Sequence, residues 1–410
     1  MNDTILYTQI LGLSSPWSVT NVDLNIEEEQ VTIEVSYKST HGICPECKMI
    51  SPIHDHREER RWRHLDTCQM MTYIICRTPR VKCSDHGVKT IIVPWSAPSS
   101  RATILFERFA IDLLKASKNQ TKVAELLRVS FDMIHHIMEK AVERGFSGRE
   151  EADVQYVGID EKSMKKGHSY ISVLSDSKRR CVIDVSEGRT LSSSNSLLNN
   201  GLTDKQKSKV EAVSMDMWKA YITAVHGELP NASIVHDKFH IIKYLNDAVD
   251  KTRREEARKL KEVDDKTLTK TKYLFLKNPE NMTAQQLSRF KQIQELNLIT
   301  SQAWAAKENF KGFFESETIN DAKFFFAEWY QDIKDRSLKH MIKVGKMLIA
   351  HSEGLLNYIE HQITNSVAEW LNGKIQEIKT IARGFRKFEN FRIAILFFLG
   401  NLDLYPQETQ

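Results

Sequence analysis

The chain has 410 residues, 41% of them hydrophobic, with 58 basic and 54 acidic side chains and a formal net charge of +4. Length and apolar content support a large core shared among several domains and exclude a mostly disordered chain. The near-even charge balance excludes arguing a polyanion partner from net charge, so any such argument depends on where charges cluster.

No N-terminal stretch joins a basic start, an apolar run and a small-residue cleavage site, and no apolar run reaches about 18 residues, so no membrane segment is expected. Apart from Cys181, the six cysteines cluster between Cys44 and Cys83, a distribution that suits a metal site in a reducing compartment better than a secreted disulfide framework.

Residues 1–100 read as a small β-rich module. Val31 to Ser39 alternates, and MMTYIICR and KTIIVPW look extended, while cysteines, histidines and prolines interrupt the pattern between them. Cys44 and Cys47, then Cys83 and His86, form two pairs with x₂ spacing, the set a closed tetrahedral zinc site takes from two hairpins. The 35 residues between the pairs require the connecting strands to fold back. Cys68, Cys76, His54 and His56 stand as substitute ligands, and buried free thiols are the plainer alternative. Arg57, Arg60, Arg61 and Arg63 around Trp62 make a basic patch that serves either phosphates or a solvated face.

Residues 101–150 change to helical periodicity. Ile104, Phe109, Leu113 and Leu114 mark one helix, Val123, Leu126 and Leu127 a second, and Ile134, Ile137 and Met138 a third. The break Arg128-Val129-Ser130, with Ser130 as N-cap, suits a helix-turn-helix, and an ordinary helical hairpin is the alternative. In a DNA reader of this kind Ser130, Asp132, Met133 and His136 are the candidate base contacts. Arg128 occupies the turn position where glycine is often found.

After a polar linker near Ser147 to Asp153, strands are expected at Val154 to Asp160, Tyr170 to Leu174 and Cys181 to Val185, a meander. Strand Val210 to Asp216, helix Met217 to His226 and strand Ser233 to His236 follow, which together imply a mixed α/β sheet. Cys181 reads as a core residue. From Lys238 to about Glu360 no strand signal appears, and the segment reads as an all-helical insertion.

Asp160 and Asp216 each end an apolar strand. Neighbouring strand ends bring two carboxylates within reach of shared Mg²⁺ ions, and a third from a helix completes a hard-oxygen set for phosphodiester transfer. Taken singly, such aspartates are usually turn or cap residues; Glu161, Asp176, Asp184 and Asp237 compete. Glu369 opens a helix whose stripe Val367, Leu371, Ile375, Ile378 and Ala382 is apolar, while Glu369, Asn372, Gln376, Lys379 and Arg383 share a polar face. From Asn372 to Arg392 there are six basic and two acidic residues, Arg386 and Lys387 among the basic ones, enough to seat a phosphate backbone or to solvate an ordinary amphipathic helix. Phe385, Phe388 and Phe391 serve core closure or base stacking.

On these segments (CPEC with CSDH, RRWRHLD, the helix-turn-helix, VGIDEKSMKKGHSY, SMDMWKAY, IVHDKFHI and AEWLNGKIQEIKTIARGFRKFENFRI) the chain resembles the DDE insertion-sequence transposases of the ISL-three family over nearly its full length. The resemblance implies an RNase H-like mixed sheet with a helical insertion: residues 151–250 and 361–410 form the catalytic core and 251–360 the insertion. It carries catalytic, Mg²⁺-holding roles over to Asp160, Asp216 and Glu369, with two Mg²⁺ that Mn²⁺ can replace and a structural Zn²⁺, and it places Asp237 and His240 beside the site. It further implies DNA contacts from Arg60, Arg61 and Arg63 and from the Glu369 helix, binding to terminal inverted repeats and target DNA, a homodimer on DNA, and a cytoplasmic, nucleoid-associated bacterial location. A non-catalytic, domesticated DNA-binding regulator and an RNase H-like structure-specific nuclease are the rival readings. Ala368 and Trp370 beside the glutamate, and Arg128 in the turn, depart from the family pattern.

Overall fold

The computed structural model describes residues 2–149, 153–165, 169–277, 279–296, 298–363 and 366–407. Residues 150–152 of the expected Ser147 to Asp153 linker, and Lys166 to His168 of the KKGHSY stretch, lie outside the described residues. The chain forms two compact units: Met1–Arg149 with Ile381–Arg383 and Asn401–Gln410, and Glu150–Thr380 with Gly384–Gly400.

The first unit opens with helix α1 (Asp3–Ile10), in a segment expected to hold strands and turns; the run has neither glycine nor proline until Gly12 ends it at φ +62°. Strands β1 (Trp17–Asn25), β2 (Gln30–Tyr37), β3 (His41–Ile43), β4 (Ile50–Arg63), β5 (Met71–Cys83) and β6 (Gly87–Thr90) follow. They pair in the order β1-β2-β5-β4-β3, with β6 also on β5. The long β4 runs through HDHREERRWR, which the sequence reading took as interrupted. Pairing with β5 satisfies its backbone despite two register shifts, and Asp55 holds Arg80 across the ladder. KTIIVPW is strand only to Thr90; beyond it Ile91, Val93 and Trp95 are buried without a ladder. Trp95 meets Trp17 and Trp62 edge-on, at 5.0 and 5.6 Å, in the centre of this core.

Three helices complete the unit: α2 (Ile104–Ser117), α3 (Gln120–Leu126) and α4 (Phe131–Ser147). Each starts on a side-chain cap: Thr103, Asn119 and Ser130 accept from the backbone N–H of Phe106, Lys122 and Met133. Val123, Ile134, Ile137 and Met138 are buried as the periodicity requires. Phe109 and Leu126 are not: the buried face of α2 is Phe106, Ala110, Ile111 and Leu114. Arg128 takes the left-handed turn conformation at φ +54°.

The second unit begins with the expected meander, β7 (Tyr156–Lys165), β8 (Ser169–Asp176) and β9 (Cys181–Glu187), in which Cys181 is buried. Helices α5 (Leu191–Gly201) and α6 (Asp204–Lys207), strand β10 (Ala212–Met215), helix α7 (Lys219–Glu228) and strand β11 (Ser233–His236) follow. The mixed sheet runs β11-β10-β7-β8-β9, with β10 parallel to both β7 and β11. Leu197, Leu198, Tyr221 and Val225 of α5 and α7 cover the face that carries Val157, Ile159, Val213 and Met215.

The opposite face meets the helical insertion expected from Lys238 to Glu360. It comprises α8 (Lys238–Glu262), α9 (Lys272–Leu276), α10 (Ala284–Gln294), α11 (Ile299–Asn309), α12 (Lys311–Phe314), α13 (Ile319–Asp335), α14 (Lys339–Ala350) and α15 (Ser352–His361). α8 is continuous through position 250. Ala212 and Val235 of the sheet share one core with Ile241, Leu245, Phe310, Phe313, Trp329 and Leu355 of these helices, so the insertion is welded to the strands. Two helices return the chain: α16 (Ser366–Ile381) and α17 (Phe388–Leu399), the latter on β9 through Arg392 and Asp184 at 2.8 Å.

Gly354 of α15 seats the insertion against the end of β11, for a Cβ there would lie 2.5 Å from the buried His236 ring. Gly354→Ala should therefore overpack this joint and destabilise the protein by about 1–3 kcal/mol. The urea midpoint of the full-length variant measures it, and an unchanged midpoint would refute the packing argument.

Candidate active site

The register of the parallel strands assembles the acidic cluster. Met215 pairs with Ile159 on one side and His236 on the other, so the next residues, Asp160, Asp216 and Asp237, stand at one level across three adjacent strands. The sequence reading ended its strand at Asp160, but β7 continues to Lys165. The β10 pairing stops at Ile159, one residue before Asp160, and β8 goes on pairing to Lys165. Continuation turns Glu161 to the other face, where it binds Arg189 at 2.9 Å. Of the competing carboxylates, Asp176 caps the β8–β9 turn and Asp184 binds Arg392; only Asp237 joins the cluster.

Each carboxylate is held. Asp160 accepts from the N–H of Glu161 and from Asn372 Nδ2, both at 2.7 Å. Burial pushes its carboxyl up to about 6; the charges of Asp237 and Asp216 add to the rise, while the Glu161 N–H and His240 oppose it. Asp216 accepts from the N–H of Met217 at 2.7 Å and lies 3.4 Å from Tyr244 Oη. Asp237, 1% exposed, caps α8 through the N–H of Phe239, and its other oxygen lies 3.0 Å from His240 Nδ1. That contact raises the His240 pKa, burial opposes the rise, and the charges of Asp216, Asp237 and Asp160 add to it. Sequence reasoning missed Tyr244, although its spacing of four from His240 on α8 was a usable signal.

Glu369 lies in the first turn of α16. Its pKa is raised by burial and then by Asp237, with His240 opposing, which ties it electrically to the same group. The polar face of α16 lies along β7: Asn372 donates to Asp160, and Lys379 Nζ donates to the Ser163 carbonyl at 3.1 Å. Gln376 turns to Thr380 on its own helix, at 3.4 Å. Arg383 at φ +53° and Gly384 at φ +95° end the helix, and the side chains of Arg386 and Lys387 are exposed. Phe385 stacks at 4.8 Å on the buried Phe391, which assigns this pair to core closure.

The donor set is all oxygen and suits a hard divalent cation. Among the described residues, only Cys44, Cys47, Cys83 and His86 draw their ligand atoms within 4.8 Å of one another. The oxygens of Asp160, Asp216, Asp237 and Glu369 are not drawn together to that degree.

In the zinc module, β4 and β5 fold back and bring the two pairs together. Cys47 Sγ lies 3.6 Å from Cys83 Sγ, and His86 Nδ1 lies 3.7 Å from Cys83 Sγ and 4.0 Å from Cys44 Sγ. Zn–S bonds of about 2.3 Å in a tetrahedron give edges of about 3.8 Å, so these four atoms fit a zinc ion. Backbone N–H groups, that of Asp85 first, bring the Cys83 thiol down to about 6, whereas burial pushes Cys76 up to about 12 as a core thiol. Neither Cys76 nor Cys68, His54 and His56 joins the group.

The expected DNA contacts divide. Arg63 is 2% exposed, and its guanidinium is bound to the carbonyls of His64, Thr72 and Leu127 and to Asp66, so it has no face for a phosphate. Arg60 reaches the Ser100 carbonyl and stacks on Trp62; Arg61 stacks on Tyr73 and binds Gln30. At the start of α4, Ser130 caps the helix, Asp132 and His136 are exposed and Met133 is half-buried.

Removing zinc with a chelator, or Cys83→Ser, should melt the β-rich module, whereas Cys76→Ser should retain bound zinc. Stoichiometry by atomic absorption and the β signal in circular dichroism check this; a fully folded, metal-free Cys83→Ser protein would contradict it.

Comparison with known proteins agrees with this geometry. Residues 157–395, more than half of the chain, match a family model described as transposase. Residues 40–86 match the zinc-finger of transposases IS204/IS1001/IS1096/IS1165, and residues 91–142 match the helix-turn-helix domain of transposase family ISL3. The chain is 22% identical over 376 residues to the transposase for insertion sequence element IS1001 of Bordetella parapertussis, covering 90% of this chain and 92% of that one. It is 23% identical over 378 residues to the transposase for insertion sequence element IS1557 of Mycobacterium tuberculosis, covering 85% and 83%. With these matches over its zinc-binding, helix-turn-helix and mixed α/β segments, the chain belongs to the ISL3 family of transposases.

Proposed function

We propose that the protein is a DDE transposase that binds the terminal inverted repeats of its insertion sequence and catalyses Mg²⁺-dependent strand cleavage and strand transfer. The observation that carries this reading is the shared level of Asp160 and Asp216 on adjacent parallel strands, with Asn372 hydrogen-bonded to Asp160 on the helix that brings in Glu369. An antiparallel meander followed by two parallel strands with helical connections supports an RNase H-like core built from residues 151–250 and 361–410 around the insertion. The zinc module and the helix-turn-helix, residues 1–100 and 101–150, would recognise the ends through Arg60, Arg61, Ser130, Asp132, Met133 and His136. Handling two ends together calls for a homodimer on DNA.

Asp160, Asp216 and Glu369 would hold two Mg²⁺ ions, with Mn²⁺ able to substitute. When bound, such ions activate the attacking water or 3′-hydroxyl and offset charge on the leaving oxygen. The chain itself contributes position and charge. Asn372 and Tyr244 orient the Asp160 and Asp216 carboxylates, and Asp237 holds His240 beside them, where its ring would contact an incoming phosphate. Gln376, Arg383, Arg386 and Lys387 would follow the phosphate backbone beyond it, while Lys379 pins α16 to β7.

Replacing Asp160, Asp216 or Glu369 by Ala should reduce cleavage of end-containing DNA to background while leaving end binding intact. Cleavage that persists with Mg²⁺ in one variant would remove that residue from the role, and binding without cleavage by the wild type would favour a regulator.

Asp160 also gives a pH-dependent stability test. Its folded pKa of about 6 exceeds the ordinary carboxylate value, so the metal-free native state binds more protons than the unfolded chain between the two values. Stability from this group therefore falls as pH rises through that window, and the cost is complete above about pH 6. Asp160→Asn should melt higher than wild type at pH 7.5 without divalent cations, and the gap should close below pH 6. A lower melting temperature at pH 7.5 would refute the electrostatic account.

A further inference from the structure

The helix-turn-helix is not built from one stretch of chain. The segment after α17, Asn401–Gln410, groups with the first unit, and its residues 401–407 are described. Leu404 is 1% exposed and Pro406 is buried, although neither stands in a helix or strand. Arg144 Nη2, near the end of α4, donates to the Leu404 carbonyl at 3.2 Å across 260 positions of sequence. The other arm of that guanidinium, Nη1, lies 3.4 Å from Glu107 of α2, a buried carboxylate that also accepts from Ser100 Oγ at 2.7 Å. Tyr405 turns to α2: its hydroxyl donates to Asp112 Oδ1 at 2.6 Å and accepts from Lys115 Nζ at 3.1 Å. Lys115 Nζ and the Arg108 guanidinium also lie 4.3 and 5.7 Å from the centre of its ring.

A glycine makes room for this segment. Gly145, buried in the last turns of α4, would place a Cβ 2.4 Å from the Cβ of Leu402. Glycine within a helix weakens it relative to alanine, so the residue at this position answers to what lies against it. Leu402 and Leu404 thus meet α4 at Gly145 and Arg144, and Tyr405 meets α2. The segment spans the two helices at the end of α4 away from Ser130 and Met133, where the base contacts are expected.

From this arrangement we infer that residues 402–406 are a clamp that completes the helix-turn-helix: they fix α4 against α2 and so set the orientation in which the first turn of α4 meets DNA. Leu402, Leu404 and Tyr405 are positioning residues that act through α4. The consequence for recognition rests on the end-binding reading above, whereas the clamp itself is tested without DNA.

Amide hydrogen exchange of the full-length protein is compared with that of a variant lacking residues 401–410. Loss of the segment should speed exchange along α4 by about tenfold or more with bound zinc unchanged, and a synthetic peptide of sequence Asn401–Gln410 in excess should restore protection. Gly145→Ala should reproduce the loss, and combining it with the truncation should add nothing, since both remove one interaction. Helix propensity alone predicts the opposite sign for Gly145→Ala. Tyr405→Phe, which keeps the ring and loses both hydroxyl bonds, should give a smaller loss and keeps the test valid if the truncated chain misfolds. On a duplex of the terminal repeat flanking the gene, the truncated chain should bind about fivefold or more weaker, and the peptide should restore affinity. Unchanged exchange after truncation, or slower exchange in Gly145→Ala, would overturn the clamp. Duplex binding by the truncated chain as tight as that of wild type, or tighter, would overturn its role in recognition. Peptide-restored protection in a protein whose wild type ignores the duplex would sink the end-binding reading alone.

Discussion

Three carboxylates stand at one level across adjacent parallel strands, and burial with the neighbouring charges makes ionisation of Asp160 costly. Much of the second unit is arranged around that constraint. The raised pKa of Asp160 is the cost made visible. The Glu161 N–H and His240 oppose that rise, and the Met217 and Phe239 N–H groups and the Asn372 amide donate to the carboxylates.

The helical insertion gains meaning from the same constraint. It leaves the sheet at Asp237, which is both the third aspartate and the N-cap of α8. It comes back onto β11 through α15, where Gly354 allows close contact with His236. The excursion is therefore fastened at both ends to the strand beside the acidic group. Its shared core with Ala212 and Val235 makes the strand ends rigid where the carboxylates need fixed positions. α16 completes the frame, because Asn372 and Lys379 tie its polar face to β7 and thereby place Glu369.

The first unit solves a different problem. Its β-rich module has a small core around Trp17, Trp62 and Trp95, and the four zinc-competent ligands join the β3–β4 turn to the β5–β6 turn at its edge. Arg63 is spent inside this unit as a hydrogen-bond hub, which explains why an arginine in a basic run need not face DNA.

Local chemistry was legible in the chain. The x₂ spacing of Cys44, Cys47, Cys83 and His86, the Ser130 cap, the meander, the helical insertion and the acidic residues each depend on neighbours within a turn or a strand, so composition and period suffice to locate them. Register and face were not legible, since they depend on partners far away in sequence. Only pairing with β8 carried β7 past Asp160 and turned Glu161 outward. Only the fold buried Arg63 and turned Asn372 and Lys379 from a presumed DNA-facing row onto β7. The sequence by itself determined which groups the protein has for its chemistry; the tertiary structure decided which of them meet, because parallel register and helix docking are set by long-range packing that no local pattern encodes.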